Sequence, residues 1–288
     1  MTRILLTGKT GQVGGELIAA LAPLGEVMAC DRDALDLADP AAMVATVRKL
    51  RPDIIVNAAA YTAVDRAEAE PALAMAINGT APGILAAEAL RLNALLVHYS
   101  TDYVFDGVKH GPYDENDPPN PLNVYGRTKL AGECAVQASG AQYLILRTSW
   151  VYAARGKNFL VTISRLAAER DELKVVDDQI GAPTWCRDIA TATAAILARR
   201  QDKADAFNGV YNLTAQGSTS WHGFAAEILA HAETKPKARL VPIPTSAYPS
   251  AAARPLNSVL SHDKLKQTFG VELPDWRSSL ATCLDEKR

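Results

Sequence analysis

The sequence predicts an α/β protein whose parallel sheet is wound with helices on both faces. Short apolar runs alternate with stretches of helical period over the first 150 residues, which is typical of repeated strand–helix–strand units. The run at 53–57 is almost continuously apolar, as expected of a strand buried on both faces. A glycine-rich turn directly follows the first run. We therefore expect a doubly wound sheet whose ligands bind at the carboxyl ends of the strands.

Composition limits the classes of function. The chain has 288 residues, of which 48% are hydrophobic and 22% charged, with a formal net charge of -2. This size fits a nucleotide-binding domain with a smaller partner, and the charge balance does not favour nucleic acid. The four cysteines lack metal-binding spacing, and no apolar run reaches the ~18 residues of a membrane helix. We expect a soluble cytoplasmic protein that acts on small molecules, without nucleic-acid, membrane or catalytic metal partners.

Each predicted element has its own local signal. Val13, Leu17 and Leu21 recur at helical spacing behind the glycine turn. Asp39-Pro40 supplies a helix N-cap with proline at the first helical position. Gly and Pro are frequent in 106–121, which indicates a loop. The predicted strands are 3–7, 27–30, 53–57, 95–99 and 143–146, and the predicted helices are 13–24, 41–50, 72–92 with an interruption near 79–82, and 123–139.

The alternation of strands and helices weakens after residue 150. We expect 1–150 to form the nucleotide-binding domain and 151–288 to bind mainly substrate, with some segments returning to the first sheet. Asp178–Thr184 is interpreted as a turn that returns the chain to this sheet, and 236–255 as a proline-punctuated loop. A further strand is expected at 210–213, and helices at 158–170, 187–200, 221–232, 262–269 and 276–284.

The glycine turn predicts a dinucleotide site of the Rossmann type. Gly8 permits a tight turn, Gly11 lets the backbone approach a pyrophosphate, and Gly14 allows the helix to pack closely. The first helical turn then offers free N–H groups and the positive end of its dipole to the phosphates. The residues expected to bind the cofactor here are Gly8, Thr10, Gly11, Gln12, Val13 and Gly14.

The residues after the second strand bear on the choice of cofactor. Asp31 lies about 20 residues beyond the glycine turn, where a carboxylate accepts hydrogen bonds from a ribose 2′-OH, and this favours NADH. Arg32 could instead pair with a 2′-phosphate, so NADPH stays open.

A tyrosine and a lysine form the candidate proton donor. Tyr125 and Lys129 lie four residues apart and so share one helical face. A neighbouring ammonium is expected to lower the pKa of the phenol, which suits proton transfer to a carbonyl oxygen. Ser100 and Thr101 end the fourth predicted strand, and a hydroxyl there can hold the same carbonyl.

These motifs together resemble the extended short-chain dehydrogenase/reductases that act on nucleotide sugars. Five further segments and an Arg-Pro pair resemble, more narrowly, the dTDP-4-dehydrorhamnose reductase family. The resemblance extends over nearly the whole chain. The segments are Asn57–Asp65, Tyr99–Phe105, Pro121–Gly126, Arg147–Tyr152 and Asp178–Thr184, with Arg254-Pro255.

The resemblance implies a reaction. It would be reduction of the C4 ketone of dTDP-4-dehydro-L-rhamnose to dTDP-L-rhamnose by NADPH or NADH, the last step in making this activated sugar for bacterial surface polysaccharide. Tyr125 would protonate the ketone oxygen, Lys129 would lower the phenol pKa and orient the cofactor ribose, and Thr101 would position the carbonyl. Two alternatives stay open: a related nucleotide-sugar epimerase or dehydratase, and a non-catalytic regulatory relative of the same fold.

The resemblance also implies further contacts. Three of the substrate contacts that the resemblance implies have alternative interpretations. Asp102 could instead cap a turn, Trp150 could fill the core, and Arg254 could be a solvated surface residue. Some relatives form dimers around magnesium; Glu16 could be a ligand, but Arg187 lies where another carboxylate is wanted, so both the metal and a homodimer are left open. The implied cofactor contacts are Asp36, which is alternatively a turn residue, Leu37, Ala60, Tyr61 and Thr62, and the implied substrate contacts are Thr101, Asp102, Trp150, Asn158 and Arg254.

Overall fold

The computed structural model describes residues 1–200, 202, 207–231 and 237–285. The strands are β1 (Arg3–Thr7), β2 (Glu26–Cys30), β3 (Ile54–Asn57), β4 (Leu95–Thr101), β5 (Gln142–Thr148), β6 (Val151–Tyr152), β7 (Glu172–Val176), β8 (Ile180–Gly181), β9 (Thr184–Trp185), β10 (Asn208–Asn212), β11 (Thr219–Ser220) and β12 (Arg239–Ile243). The helices are α1 (Gln12–Leu21), α2 (Pro40–Leu50), α3 (Val64–Ala67), α4 (Pro71–Met75), α5 (Ala81–Leu92), α6 (Val124–Gln137), α7 (Phe159–Glu169), α8 (Cys186–Ala198), α9 (Trp221–Ala230), α10 (Asp263–Phe269) and α11 (Trp276–Asp285).

Six parallel strands form the central sheet, in the order β10-β5-β4-β3-β1-β2. The chain moves from β1 outward to β2 and then crosses back to β3 on the other side of β1. Connections on opposite faces open a crevice beyond the carboxyl ends of β1 and β3, where ligands of such sheets bind. The predicted doubly wound parallel sheet is therefore confirmed.

Two apolar layers cover the sheet because successive strand side chains point to opposite faces. In β1, Ile4 and Leu6 pack with residues of α1, α8 and α10, whereas Leu5 packs with residues of α2 and α5. All three side chains are fully buried, and burial of a leucine or isoleucine contributes roughly 1.5–3 kcal/mol. The sheet is thereby fixed between two helical layers, and its carboxyl edge is left for the site.

The later part of the chain builds a second core from small sheets. These sheets are the pairs β6-β9, β8-β11 and β7-β12. Strands β6, β7, β9 and β12 contribute to a core that contains Tyr152, Phe224 and Trp276. Helix α8 and strand β10 instead join the central sheet and its cover. Some segments after residue 150 thus lie with the first sheet, and the assignment of substrate binding to 151–288 stays a prediction.

Two expectations for this part were wrong. Asp178–Thr184 does not return to the central sheet but contributes to the pairs β8-β11 and β6-β9. The stretch 236–255, expected to be a loop, contains β12, which pairs in parallel with β7, a strand without a sequence-based prediction. The pairing partners lie 67 residues apart, so no local pattern marks them. Ala232 and Pro236, at the ends of a predicted helix and loop, lie outside the described residues.

The stretch Pro71–Leu92 is long and apolar enough to cross a bilayer by length and composition alone, contrary to the sequence-based expectation. Half of its apolar window is buried inside the protein. A π-helical turn at 76–80 interrupts it, close to the predicted break. It packs on α6 and α2, as a core helix does.

Candidate active site

A cavity of about 650 Å³ opens at the carboxyl ends of the central strands. It lies at the β1/β3 crevice that the topology marks for a ligand. Fourteen of the fifteen predicted cofactor residues line it, and Gly14 is the exception. These fourteen are Gly8, Thr10, Gly11, Gln12, Val13, Asp31, Arg32, Asp36, Leu37, Ala60, Tyr61, Thr62, Tyr125 and Lys129.

The glycine turn shapes the phosphate end of this cavity. Gly8 has φ +75, in the left-handed region, and a Cβ there would lie 2.8 Å from the backbone N of Ala59. A Cβ on Gly14 would lie 2.1 Å from the Gly8 carbonyl oxygen, so Gly14 acts through close packing and does not line the cavity. Helix α1 has no side-chain N-cap. Its first N–H groups therefore need partners, and pyrophosphate oxygens fit.

The ribose end of the cavity carries both signs of charge. Lys9 Nζ lies 2.9 Å from the Asp31 carboxylate, and this hydrogen bond, with one from the Ala34 backbone, lowers the pKa of Asp31. Arg32 pairs with Asp36 at 3.4 Å. Asp36 also accepts from the Ala38 N–H, as a turn residue does, and its contact with the cofactor stays a prediction. Lys9 was missed, although its position between Gly8 and Thr10 was a signal. Lys9 and Arg32 can pair with the 2′-phosphate of NADPH, whereas the Asp31 carboxylate can accept a hydrogen bond from the 2′-hydroxyl of NADH.

Asn78 ties the cofactor segment to the catalytic helix. Its Oδ1 accepts from the Tyr61 backbone N–H at 2.8 Å, and its Nδ2 donates to the Tyr61 carbonyl at 3.0 Å and to Thr128 Oγ1 at 3.2 Å. The residue lies in the π-helical turn, and such turns are frequent at functional sites. Asn78 was not among the predicted site residues, although the predicted helix interruption beginning at Gly79 lies next to it.

Tyr125 lies in the first turn of α6, which Asn123 caps by accepting from the Gly126 N–H at 2.8 Å. Burial raises the pKa of Tyr125 to about 12; a hydrogen bond with Thr101 lowers it in part and the charge of Asp102 raises it. The direction is opposite to that predicted from the Tyr/Lys spacing, because the phenol is desolvated and Lys129 is directed elsewhere. The phenol therefore keeps its proton at neutral pH.

Lys129 is fully buried and anchored to β4. Its Nζ donates to the Tyr99 carbonyl at 2.6 Å and lies 3.4 Å from His98 Nε2. Burial lowers the pKa of Lys129 to about 8, against the charge of Glu133, which raises it. An ammonium has three N–H groups, and with the Tyr99 carbonyl as its acceptor on β4 another of them can face the cavity that Lys129 lines.

Thr101 connects the strand end to the phenol. Its Oγ1 donates to Asp102 Oδ1 at 2.9 Å and accepts from the Tyr103 N–H at 3.1 Å, so Thr101 itself caps the turn for which Asp102 was the alternative. Burial raises the pKa of Asp102 to about 7, partly offset by the hydroxyls of Ser258 and Thr101. The Ser100 hydroxyl is buried at the cavity wall and has no hydrogen-bond partner among the described residues. Of the two hydroxyls, Thr101 is the one that contacts Tyr125.

The predicted substrate residues do not line the cofactor cavity, and of these Thr101 and Asp102 interact directly with the phenol. Arg254 Nη2 pairs with Asp65 Oδ2 at 2.7 Å, which holds the pKa of Asp65 at about 2; it is therefore not a solvated surface arginine. Arg254 also interacts with Tyr103, whose ring packs edge-on at 5.8 Å against Tyr125. This chain of contacts connects Arg254 to the phenol through Tyr103.

Asn158 and Trp150 are placed by their own contacts. The Asn158 Oδ1 caps α7 by accepting from the Val161 N–H at 3.0 Å, and its Nδ2 donates to Gln12 Oε1 at 2.9 Å. Its side chain is thus engaged between the two regions, and direct contact with substrate stays a prediction. Trp150 stacks on Trp221 with ring centroids 3.6 Å apart. Trp221 was not among the predicted site residues.

Glu16 does not present a metal site. Its two carboxylate oxygens accept from Arg155 Nη1 at 2.5 Å and Arg187 Nε at 2.9 Å. Burial raises the pKa of Glu16, but the two guanidinium groups outweigh it and leave the pKa below its ordinary value. Within the described ranges, no group of three His, Cys, Asp or Glu side chains could hold a metal ion. Two cations at this carboxylate do not fit a magnesium centre.

The fold, the glycine turn and the Thr–Tyr–Lys arrangement beside the cavity define a nicotinamide-dependent oxidoreductase of the short-chain dehydrogenase/reductase class. The family model described as RmlD substrate binding domain matches residues 1–288. A relative named dTDP-4-dehydrorhamnose reductase from Burkholderia thailandensis is 55% identical over 291 residues, covering 98% of each chain. Another of that name from Escherichia coli K12 is 49% identical, covering 98% of this chain and 97% of that one. The chain belongs to this family.

Solved structures agree with the assignment. A crystal structure of dTDP-4-dehydrorhamnose reductase from Bacillus anthracis in complex with NADP matches with a TM-score of 0.91 at 36% identity, covering 99% of this chain and 100% of that one. A UDP-glucose 4-epimerase from Thermus thermophilus in complex with NAD has a TM-score of 0.81 at 20% identity, covering 100% and 99%. This second likeness bears on the fold alone.

Proposed function

We propose that the protein reduces the C4 ketone of dTDP-4-dehydro-L-rhamnose to dTDP-L-rhamnose with NADPH or NADH, the last step in making this activated sugar. The observation that carries the reaction type is the contact of the Thr101 hydroxyl with the Tyr125 phenol beside the dinucleotide cavity, which Tyr125 and Lys129 also line. The identity of the substrate is supported by the names of the relatives, which cover nearly the full chain.

The bound nicotinamide supplies the hydride, and the protein supplies the proton. Tyr125 is held in its protonated form because burial raises its pKa to about 12. The phenol is therefore loaded as an acid and gives up its proton only when charge develops on the ketone oxygen. Thr101 holds that oxygen against the phenol when its single hydroxyl proton, which Asp102 accepts in this structure, turns to the ketone, while the Tyr103 N–H keeps the hydroxyl oxygen in place.

Lys129 has a positioning role in this proposal. Its anchors on β4, Tyr99 and His98, fix the ammonium at the cavity wall, where it meets the ribose hydroxyls of the cofactor. Trp150, Asp102 and Arg254 receive the nucleotide sugar from the opposite side. For Arg254, the guanidinium pairs with a phosphate oxygen, and Asp65 orients it.

We further propose that the protein works in the cytoplasm on a soluble nucleotide sugar, without membrane or nucleic-acid partners, and that any homodimer forms without a bridging metal. The last point is supported by Glu16, whose carboxylate is engaged by two arginines. Light scattering with and without a chelator tests it: a mass that falls when metal is removed contradicts the proposal.

The assay that tests the reaction follows absorbance of the reduced nicotinamide while the purified protein meets dTDP-4-dehydrorhamnose, with NADH and NADPH in separate runs. We expect absorbance to fall in step with product, and the two rates give the cofactor preference left open by Lys9, Asp31 and Arg32. If the protein binds a cofactor and transforms the sugar without consuming it, an epimerase or dehydratase replaces the proposal. Binding without any turnover indicates a regulatory relative.

A further inference from the structure

Trp150 has a strained backbone at the border of the two regions. It lies between β5 and β6 with φ +45, a left-handed conformation that is an outlier for a bulky side chain. Its carbonyl accepts a hydrogen bond from the Thr184 N–H at 3.2 Å. Such strain persists only where the surroundings hold it, and it concentrates at ligand sites.

The Trp150 indole is held by a second indole. The rings of Trp150 and Trp221 are stacked and nearly parallel, with an angle of 4° between their planes and their centroids 3.6 Å apart. Aromatic pairs prefer offset or edge-to-face arrangements over this one, so the geometry is imposed by the fold. Trp221 is itself fixed by Phe159 at 4.6 Å and by the cap of α9, where Ser220 Oγ accepts from the Gly223 N–H at 2.9 Å.

A second constraint on the Trp150 indole comes from Gly181 in β8. A Cβ at Gly181 would lie 2.5 Å from Trp150 Cε2 and 2.8 Å from Ser258 Oγ. Only glycine leaves room for the ring at this point. Ser258 in turn interacts with Asp102, which accepts from the Thr101 hydroxyl. The strained indole is therefore connected through Gly181, Ser258 and Asp102 to the hydroxyl that meets the phenol.

We propose that Trp221 is a positioning residue, which holds the Trp150 indole in its strained orientation so that the hexose of the nucleotide sugar packs against it. Trp150 contacts the substrate; Trp221 acts through Trp150. The broad apolar face of an indole suits the C–H face of a sugar ring. This inference rests on the proposed function for the identity of the sugar.

The experiment compares Trp221→Ala with Trp221→Phe and with Ile228→Val, a core change two turns further along the same helix, away from the indole pair. Calorimetry in the presence of NADP+ measures the affinity for dTDP-L-rhamnose and for dTDP, and circular dichroism measures the exciton signal of the stacked indoles. For Trp221→Ala we expect roughly tenfold weaker binding of dTDP-L-rhamnose, unchanged binding of dTDP and NADP+, and a lost exciton signal. The KM for the substrate should rise by a similar factor with little change in kcat.

The remaining variants decide between positioning and stability. Trp221→Phe keeps a ring behind Trp150 and should recover most of the affinity for dTDP-L-rhamnose, although the exciton signal is lost. Ile228→Val should lower thermal stability and keep both the affinity for dTDP-L-rhamnose and the exciton signal. Unchanged sugar affinity in Trp221→Ala, or equal loss for dTDP and dTDP-L-rhamnose, overturns the inference. These are binding measurements, so they do not depend on turnover. If the wild type fails to turn over, the proposed reaction is contradicted, but the affinities of the variants can still be compared.

Discussion

The cofactor side and the substrate side of the site are built in different ways. On the cofactor side, the contacts come from the glycine turn and from several short segments that follow strand ends, and most of these segments carry a local sequence pattern of their own. On the substrate side, Arg254 reaches Asp65 across 189 positions, and Asn158 reaches Gln12 across 146. The first side depends on backbone shape and the second on long-range packing. A short motif can therefore mark the cofactor side, whereas only the folded chain defines the substrate side.

The largest effect is expected where the two sides meet. Tyr125→Phe removes the proton donor but keeps the ring that packs on Tyr103. We expect kcat to fall by about 10²–10⁴, with the Kd for NADPH nearly unchanged, since the hydroxyl acts on the ketone. Stopped-flow turnover and cofactor titration measure both. Turnover close to that of the wild type would remove the proposed acid.

Adding a single methyl group at Gly14 should strongly weaken cofactor binding. Gly14→Ala places Cβ 2.1 Å from the Gly8 carbonyl, and because both groups are backbone, the turn must move. We expect the Kd for NADPH to rise by about 100-fold, equivalent to roughly 2.8 kcal/mol. Gly15→Ala is the matched control, because its Cβ would meet only the end of the flexible Arg155 side chain. Equal effects of the two changes would contradict this account of the turn.

Asp102 should make stability fall with rising pH on the substrate side. Its folded pKa of about 7 lies above the unfolded value, so between about pH 4 and 7 the unfolded state binds fewer protons and the free energy of unfolding falls as pH rises. Asp102→Asn removes this dependence. Between pH 5 and pH 7, the difference in unfolding free energy between wild type and variant should change by about 2 kcal/mol. Urea unfolding at both pH values measures it, and a constant difference rules it out.

The smallest effect tests the long-range pair. Arg254→Gln removes the guanidinium that Asp65 orients, and we expect the KM for the nucleotide sugar to rise by about tenfold with kcat changed much less. Arg66→Gln is the control, since that exposed arginine pairs with Glu70 on the surface, where ion pairs contribute little. If Arg254→Gln lowers kcat and leaves KM alone, Arg254 does not bind the ground-state substrate.

What the sequence could predict follows this division. The parallel sheet and the glycine-turn end of the cavity were available from Gly8 to Gly14, Asp31 and the strand ends, because local spacing determines them. The family, and the rest of the predicted cavity lining, came from the resemblance of whole segments such as Tyr99–Phe105. Strands β7 and β12 could not be found, since each is stabilised by a partner far along the chain. The pKa of Tyr125 was predicted in the wrong direction, because spacing gives the distance to Lys129 but not the desolvation of the phenol. Trp221 had no local signal at all.

The hydrogen bond between Gln12 and Asn158 joins the two sides, and we expect it to couple them energetically. Gln12 belongs to the turn that is expected to meet the cofactor phosphates, and Asn158 caps the helix at the start of the region that is expected to bind substrate. A ligand that orders one partner lowers the entropy lost when the other is ordered. By thermodynamic reciprocity, cofactor and nucleotide sugar should then raise each other's affinity by one common factor. Titrating each ligand with and without the other, in wild type and Gln12→Ala, measures that factor, and equal factors in both proteins would show that this bond does not transmit it.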